Sequence, residues 1–241
     1  MADSHTTNFR HSAPQDHPTP RPATQAQGLR LILVRHGESW SNIDGTVAGE
    51  HTCRGLTDIG NRQARAVAEH LAAQQERLAI TTVYSTPVRR AVQTAEPIAH
   101  RLGVSLRPEF PYHQHGTAEG QRRHQISPDP TLPPRQSPDD PLAPGADSWA
   151  TAVHRVARML DILATRHRHD TVVLTCHRET ILAAAQHFQR TQPTLNHATA
   201  EADYTSITEW KHRTRTANPH HWRWVLVRHN DTRHLEQSSI S

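Results

Sequence analysis

The chain has 241 residues, with 27 Lys and Arg against 23 Asp and Glu and a formal net charge of +4. This suits one large domain with tails and an anionic small-molecule partner, and the absence of a basic run interleaved with aromatics argues against nucleic-acid binding. No apolar run reaches membrane-spanning length and the N-terminus shows no apolar signal segment, so no membrane association is expected. Cys53 and Cys176 supply neither a disulfide framework nor zinc spacing. The expectation is a soluble cytoplasmic protein, a monomer or homodimer.

Residues 1–28 are rich in His, Thr, Pro and Gln and nearly free of large apolar side chains, which predicts a disordered tail. Its His5, His11 and His17 lack compact ligand spacing. Leu31-Ile32-Leu33-Val34 then stops abruptly at Arg35-His36-Gly37. Such a run reads as a strand buried on both faces, and ligands bind beyond the carboxyl ends of such strands. Arg35 and His36 would project into a site, while Gly37 permits a tight turn; an ordinary polar loop is the bland alternative. Residues 41–54 form a loop over the site, and Thr57 or Asp58 caps a helix to about Leu78, with Val67, Ala68 and Leu71 on one face. Ile80–Tyr84 predicts the next strand. The helix that follows, from about Val88 to Leu102, puts Arg90 in its first turn, facing the same strand ends, with Arg89 toward solvent. Val104–Arg107 is a short strand.

From Glu109 to Asp147 no periodicity holds and Pro recurs eight times. A segment of this length is usually functional or disordered, and it is read as a substrate-covering lid. Ser148 caps an amphipathic helix bearing Val153, Val156, Leu160 and Leu163. Thr171–Cys176 is a second apolar strand, ending at His177, and feeds a helix from Glu179 to about Arg190. Thr205–Trp210 and Trp222–Arg228 complete the strands, the latter a candidate edge; residues 237–241 form a tail.

Two histidines and at least two arginines at strand ends form the inventory for nucleophilic phosphoryl transfer. Imidazole attacks phosphorus to give a covalent intermediate, and guanidinium forks stabilise the equatorial oxygens. No Walker-type phosphate loop is present, so nucleotide-driven chemistry is not indicated.

Arg35-His36-Gly37-Glu38-Ser39 with Asn42 resembles the signature of the histidine phosphatase superfamily, in its phosphoglycerate mutase-like branch. Gly55-Leu56-Thr57-Asp58, Ser85-Thr86-Pro87-Val88-Arg89-Arg90 and Asn230-Asp231-Thr232 are similar to further family segments in the same order. The resemblance implies a three-layer α/β/α sandwich around a mostly parallel sheet, spanning residues 29–236. It assigns His36 as the nucleophile that becomes phosphohistidine, and Arg35 and Arg90 as holders of the phosphoryl oxygens. His177 would donate a hydrogen bond to the phosphoryl group from the opposite side, and Asn42 would line the pocket.

Two departures accompany it. The family usually has a glycine pair after the second histidine, where this chain has Arg178-Glu179; Arg178 either adds a substrate-binding cation or faces solvent. The family's acidic proton donor aligns with Tyr112, whose phenol has an ordinary pKa of about 10. Glu109, His113, His115 and Glu119 are the nearby candidates for that proton. His113 and His115 could join His36 and His177 around a metal, but no carboxylate cluster supports one. The expected activity is cofactor-free, metal-independent hydrolysis of a small phosphorylated metabolite. A phosphomutase, or a repurposed or non-catalytic member that binds a phosphorylated ligand, is the alternative.

Overall fold

The computed structural model describes residues 27–126, 137–194, 200–215 and 218–236. Most of the expected N-terminal tail, the centre of the Pro-rich segment and the C-terminal tail lie outside these residues. The first strand, β1 (Gln27–Arg35), nevertheless starts two residues inside the expected tail, because Gln27 pairs with Arg213 across the sheet.

The elements then follow as α1 (Trp40–Ile43), α2 (Asp58–Ala72), α3 (Gln75–Leu78), β2 (Ile80–Ser85), α4 (Arg89–Leu102) and β3 (Ser105–Arg107). A 3-10 turn at Gly116–Ala118 precedes α5 (Arg123–Ile126), α6 (Trp149–Arg166), β4 (Thr171–Cys176), α7 (Arg178–Gln189), β5 (Ile207–Arg215), β6 (Asn218–Asp231) and α8 (Arg233–Glu236). The six strands lie in the order β3-β2-β4-β1-β5-β6. The first four are mutually parallel, whereas β5 runs antiparallel to β1, and β6, antiparallel to β5, forms an edge.

Strand alternation divides the core in two. Leu29, Leu31 and Leu33 of β1 and Val172 and Leu174 of β4 pack under α6 and α7. Ile32, Val34 and Val173 face the other way, against α2 and α4. Side chains of period two on a sheet covered on both faces require continuous apolar runs in these strands, as the sequence has. The product is the three-layer α/β/α sandwich, and it sets the carboxyl ends of β1, β4 and β2 side by side.

The expected helix from Thr57 to Leu78 is two helices. Thr57 does cap the first, its hydroxyl accepting from Gly60 N. The second arises because the Gln75 side-chain amide brackets Ile80, donating to its carbonyl and accepting from its N–H, at 3.0 and 3.1 Å. That closes a tight turn through Ala79, at φ 49°. Helix α7 starts one residue earlier than expected, directly after His177, and the last two strands are longer because they pair with each other along a twisted hairpin.

The signature loop docks on the first turn of α2 through backbone. Thr57 N donates to Glu38 O at 3.0 Å, and Glu38 N donates to Gln63 Oε1 at 2.9 Å. A Cβ on Gly60 would stand 2.0 Å from Glu38 O, and one on Gly37 would stand 2.6 Å from Gly60 O. Glycine is required at both for this approach. Among the described residues no helix is long and apolar enough to cross a membrane.

Candidate active site

A cleft of about 620 Å³ opens at the carboxyl ends of β1 and β4. Its floor is made by Arg35, His36, Arg90 and His177, the four residues that the sequence places at strand ends and in the first turn of α4.

His36 is 3% exposed, its backbone N–H held by Cys176 O at 2.9 Å. Its Nδ1 lies 2.7 Å from Gly37 O. A carbonyl only accepts, so Nδ1 carries the hydrogen. Burial first, then the charges of Arg90 and Arg35, push its pKa well below the ordinary imidazole value. The ring is therefore neutral and Nε2 is left with a free lone pair.

His177 has the opposite tautomer. Arg90 Nη2 donates to its Nδ1 at 3.1 Å, so Nε2 carries the hydrogen and donates to Thr86 Oγ1 at 2.9 Å. Burial and the neighbouring Arg90 likewise hold this ring neutral. Its one N–H thus goes to Thr86 in this structure, and Nδ1 would have to gain a proton before it donated to a phosphoryl oxygen. The two rings meet edge to face with centroids 5.3 Å apart.

The arginines are fixed mainly by backbone. Arg90 Nη1 donates to Ala48 O at 2.8 Å. Arg35 Nη1 donates to Ala202 O at 2.6 Å, and its guanidinium lies 4.2 Å over the Tyr204 ring. Stacking of this kind orients a planar cation without removing its remaining donors. Asn42 also lines the cleft, its Oδ1 accepting from Ser39 Oγ at 2.6 Å, as does Arg178. Arg89, by contrast, is exposed, as expected.

The mouth is formed by the irregular stretch around residues 112–115, α5 and the residues before α6. Tyr112 lines it with its ring 6.4 Å from His177, and its hydroxyl accepts from Glu50 N at 3.3 Å. Burial pushes the phenol above its usual pKa, so it is a weaker acid still. His113 donates from Nε2 to Asp147 O at 3.1 Å, and its ring lies 5.3 Å from that of His115. Burial and His113 lower the His115 pKa to about 4. Asp147 holds this stretch together, receiving Gln114 N at 2.8 Å and both Arg155 terminal nitrogens at 2.6 Å.

Of the five sequence-expected proton donors, Tyr112, His113 and His115 line the cleft with the floor residues, and Glu109 and Glu119 do not. Glu119 is drawn away by the loop after α1: its Oε1 accepts from His51 N, Thr52 N and Thr52 Oγ1 at 3.0–3.1 Å. Burial opposes ionisation there, but these bonds keep the carboxyl below its ordinary range. Glu109 points elsewhere, 3.6 Å from Arg166 on an exposed surface. The cleft also takes in Glu179, Glu201, Tyr204 and Arg123, which sequence reading did not single out. The only signal for Glu179 was its place where the family usually has a glycine. Tyr204 had none, since only the sheet topology brings it to Arg35. Among the described residues, no group of three or more His, Cys, Asp or Glu is arranged to hold a metal ion.

The model of the histidine phosphatase superfamily (branch 1) matches residues 31–232. The chain belongs to that superfamily. It is 40% identical over 73 residues to phosphoglycerate mutase-like protein 4 of Arabidopsis thaliana, covering 30% of each chain. It is 27% identical over 160 residues to a metal-independent phosphoserine phosphatase of the same plant, covering 64% of this chain and 66% of that one. Three of the curated relatives are matched over only 30–37% of their own length. Among solved structures, the phosphoserine phosphatase of Entamoeba histolytica, in complex with 3-phosphoglyceric acid, superposes with a TM-score of 0.68 at 26% identity. That match covers 86% of this chain and 99% of the other.

Proposed function

We propose that this chain hydrolyses phosphomonoesters of small metabolites through a phosphohistidine on His36, without a metal ion. The observation that carries the reading is the bare Nε2 of a neutral, buried imidazole in one cleft with the guanidiniums of Arg35 and Arg90. A nucleophile must present a lone pair, and a transferring phosphoryl group needs fixed positive charge at its equatorial oxygens. Nε2 attacks phosphorus, the ester oxygen leaves, and water then cleaves the N–P bond to release inorganic phosphate and the free imidazole. His177 and Asn42 contact the phosphoryl group, and Arg123 and Arg178 near the mouth suit a substrate with a second acidic group. The phosphoserine phosphatases among the relatives support phosphorylated hydroxy- or amino-acids as the first substrates to try.

The test is phosphate release from sugar, nucleotide, amino-acid and aryl phosphates, with and without chelator. Chelator-resistant release that falls at least about 10⁴-fold in His36→Ala is expected, together with acid-labile label on the wild-type protein after brief exposure to radiolabelled substrate. Phosphoryl return to an acceptor, with little release to water, would mean a mutase instead. A second reading, a binding protein without turnover, is motivated by Tyr112 at the usual acid position. Tight substrate binding with neither release nor label from a folded protein would establish it.

A further inference from the structure

We propose that Glu179 is the proton donor of this site, taking over the role that the family's usual acidic position, here Tyr112, lacks. The proposal rests on the phosphatase reading above. Among the described residues the carboxylates lining the cleft are Glu179 and Glu201, and Glu201 is exposed at the rim, whereas Glu179 follows His177 by two residues at the start of α7. Tyr112 is engaged by Glu50 N, Glu119 is tied to the 51–52 loop, and Glu109 lies outside the cleft.

The contacts of Glu179 explain how it acquires its proton. Its carboxylate accepts from its own backbone N–H, and Arg90, Arg123 and His113 act on it from α4, α5 and the mouth. Arg35, His115 and Cys176 feel its charge in turn, from β1, the mouth and β4. Burial resists ionisation, but these neighbours hold the carboxyl below its ordinary pKa. Backbone N–H groups at a helix start, together with arginine forks, are also what a phosphoryl group seeks. Glu179 therefore lies, as an anion, in the field of the cations that would hold a bound phosphoryl group. Two anions in the same field are unfavourable unless one is protonated. A phosphoryl group bound by Arg90 and Arg35 offsets the positive charge that keeps Glu179 ionised. Binding loads the acid.

The proton balance closes on the same residue. As His36 Nε2 bonds to phosphorus, the P–O ester bond breaks and the Glu179 carboxyl gives its proton to the departing alkoxide, leaving an alcohol and a carboxylate. That carboxylate then takes a proton from the water that attacks phosphorus, the N–P bond breaks, and phosphate leaves with Glu179 protonated again.

The experiment compares wild type with Glu179→Gln on two ester classes, using kcat/KM, which reports phosphoryl transfer without the later hydrolysis. Alkyl phosphates are expected to lose about 10²–10⁴-fold. p-Nitrophenyl phosphate, whose leaving group needs no proton, is expected to change by less than about tenfold. Glu109→Gln, outside the cleft, is expected to behave as wild type. Calorimetry with inorganic phosphate in buffers of different ionisation enthalpy gives a second readout: proton uptake on binding in wild type, reduced in Glu179→Gln to the share taken up by His177. Equal effects on both ester classes, no effect on either, or uptake that the substitution leaves unchanged would each overturn the proposal. A leaving-group-dependent loss in Tyr112→Phe, absent from Glu179→Gln, would transfer the role to Tyr112. If wild type itself releases no phosphate from any ester, it is the phosphatase reading that fails.

Discussion

The floor of the cleft and its mouth hold their side chains by different means. On the floor, His36 is oriented by Gly37 O, Arg90 by Ala48 O and Arg35 by Ala202 O, each at the end or first turn of a regular element. At the mouth, Tyr112, His113 and His115 ride on an irregular stretch tied to Asp147, through its backbone at Gln114 O and His113 and through its carboxylate at Gln114 N and Arg155. Backbone partners persist whatever side chains surround them, whereas a side-chain fastening is lost with one substitution. The floor is thus suited to a fixed reaction, and the mouth to a choice of substrate that changes while the reaction stays.

Arg90→Ala strikes the floor hardest. It removes a fork and frees the His177 Nδ1, and kcat is expected to fall about 10²–10³-fold, with an intact fold by circular dichroism. Survival of most activity would mean that the floor is not the reacting end. Acidification tests the neutral histidines of floor and periphery alike. His36 and His177 are held well below their ordinary pKa, and His234, 2% exposed in α8, is pushed to about 4 by burial and by His70. The unfolded chain binds protons on these rings near pH 6.5, before the folded one does. Their stabilisation is therefore present above that pH and is lost as pH falls through it toward the folded values. His234 alone removes about 2 kcal/mol between pH 7 and pH 5, readable by urea denaturation at the two pH values.

Asp147→Asn weakens the mouth and spares the floor. The pair is only partly shielded, with Arg155 34% exposed, so a loss of about 1–2 kcal/mol is expected, less than for a fully buried pair. KM should rise with little change in kcat; the reverse pattern would place Asp147 with the chemistry. Arg54→Ala gives the baseline. Its 2.6 Å pair with Asp44 is largely exposed, and stability should shift by less than about 1 kcal/mol.

The same division decides how much was readable in the sequence. The apolar runs 31–34 and 171–176, each ending at a histidine, announced both central strands and the floor, because period-two burial leaves a continuous signature. The helix break after Ala72 was hidden, since it depends on one glutamine side chain mimicking backbone at Ile80. The mouth was hidden for a related reason. Asp147 meets Gln114 across 33 residues of chain with no periodic pattern between them, and no local spacing encodes that contact. Glu179 received no role in the sequence reading, because only the packing of α7 shows that it lines the cleft.

The backbone contact between the signature loop and α2 bears on moving this site to another scaffold. Glu38 O is met by Thr57 N and packs on a position where only glycine fits, and Gly37, whose carbonyl selects the His36 tautomer, rests on Gly60. A graft that carried residues 35–39 alone would leave that carbonyl without its support and the imidazole free to turn over. The smallest transplantable unit is the strand end together with the start of α2, two pieces separated by about twenty residues of chain and joined where their backbones touch and where Thr57 and Gln63 bond Glu38.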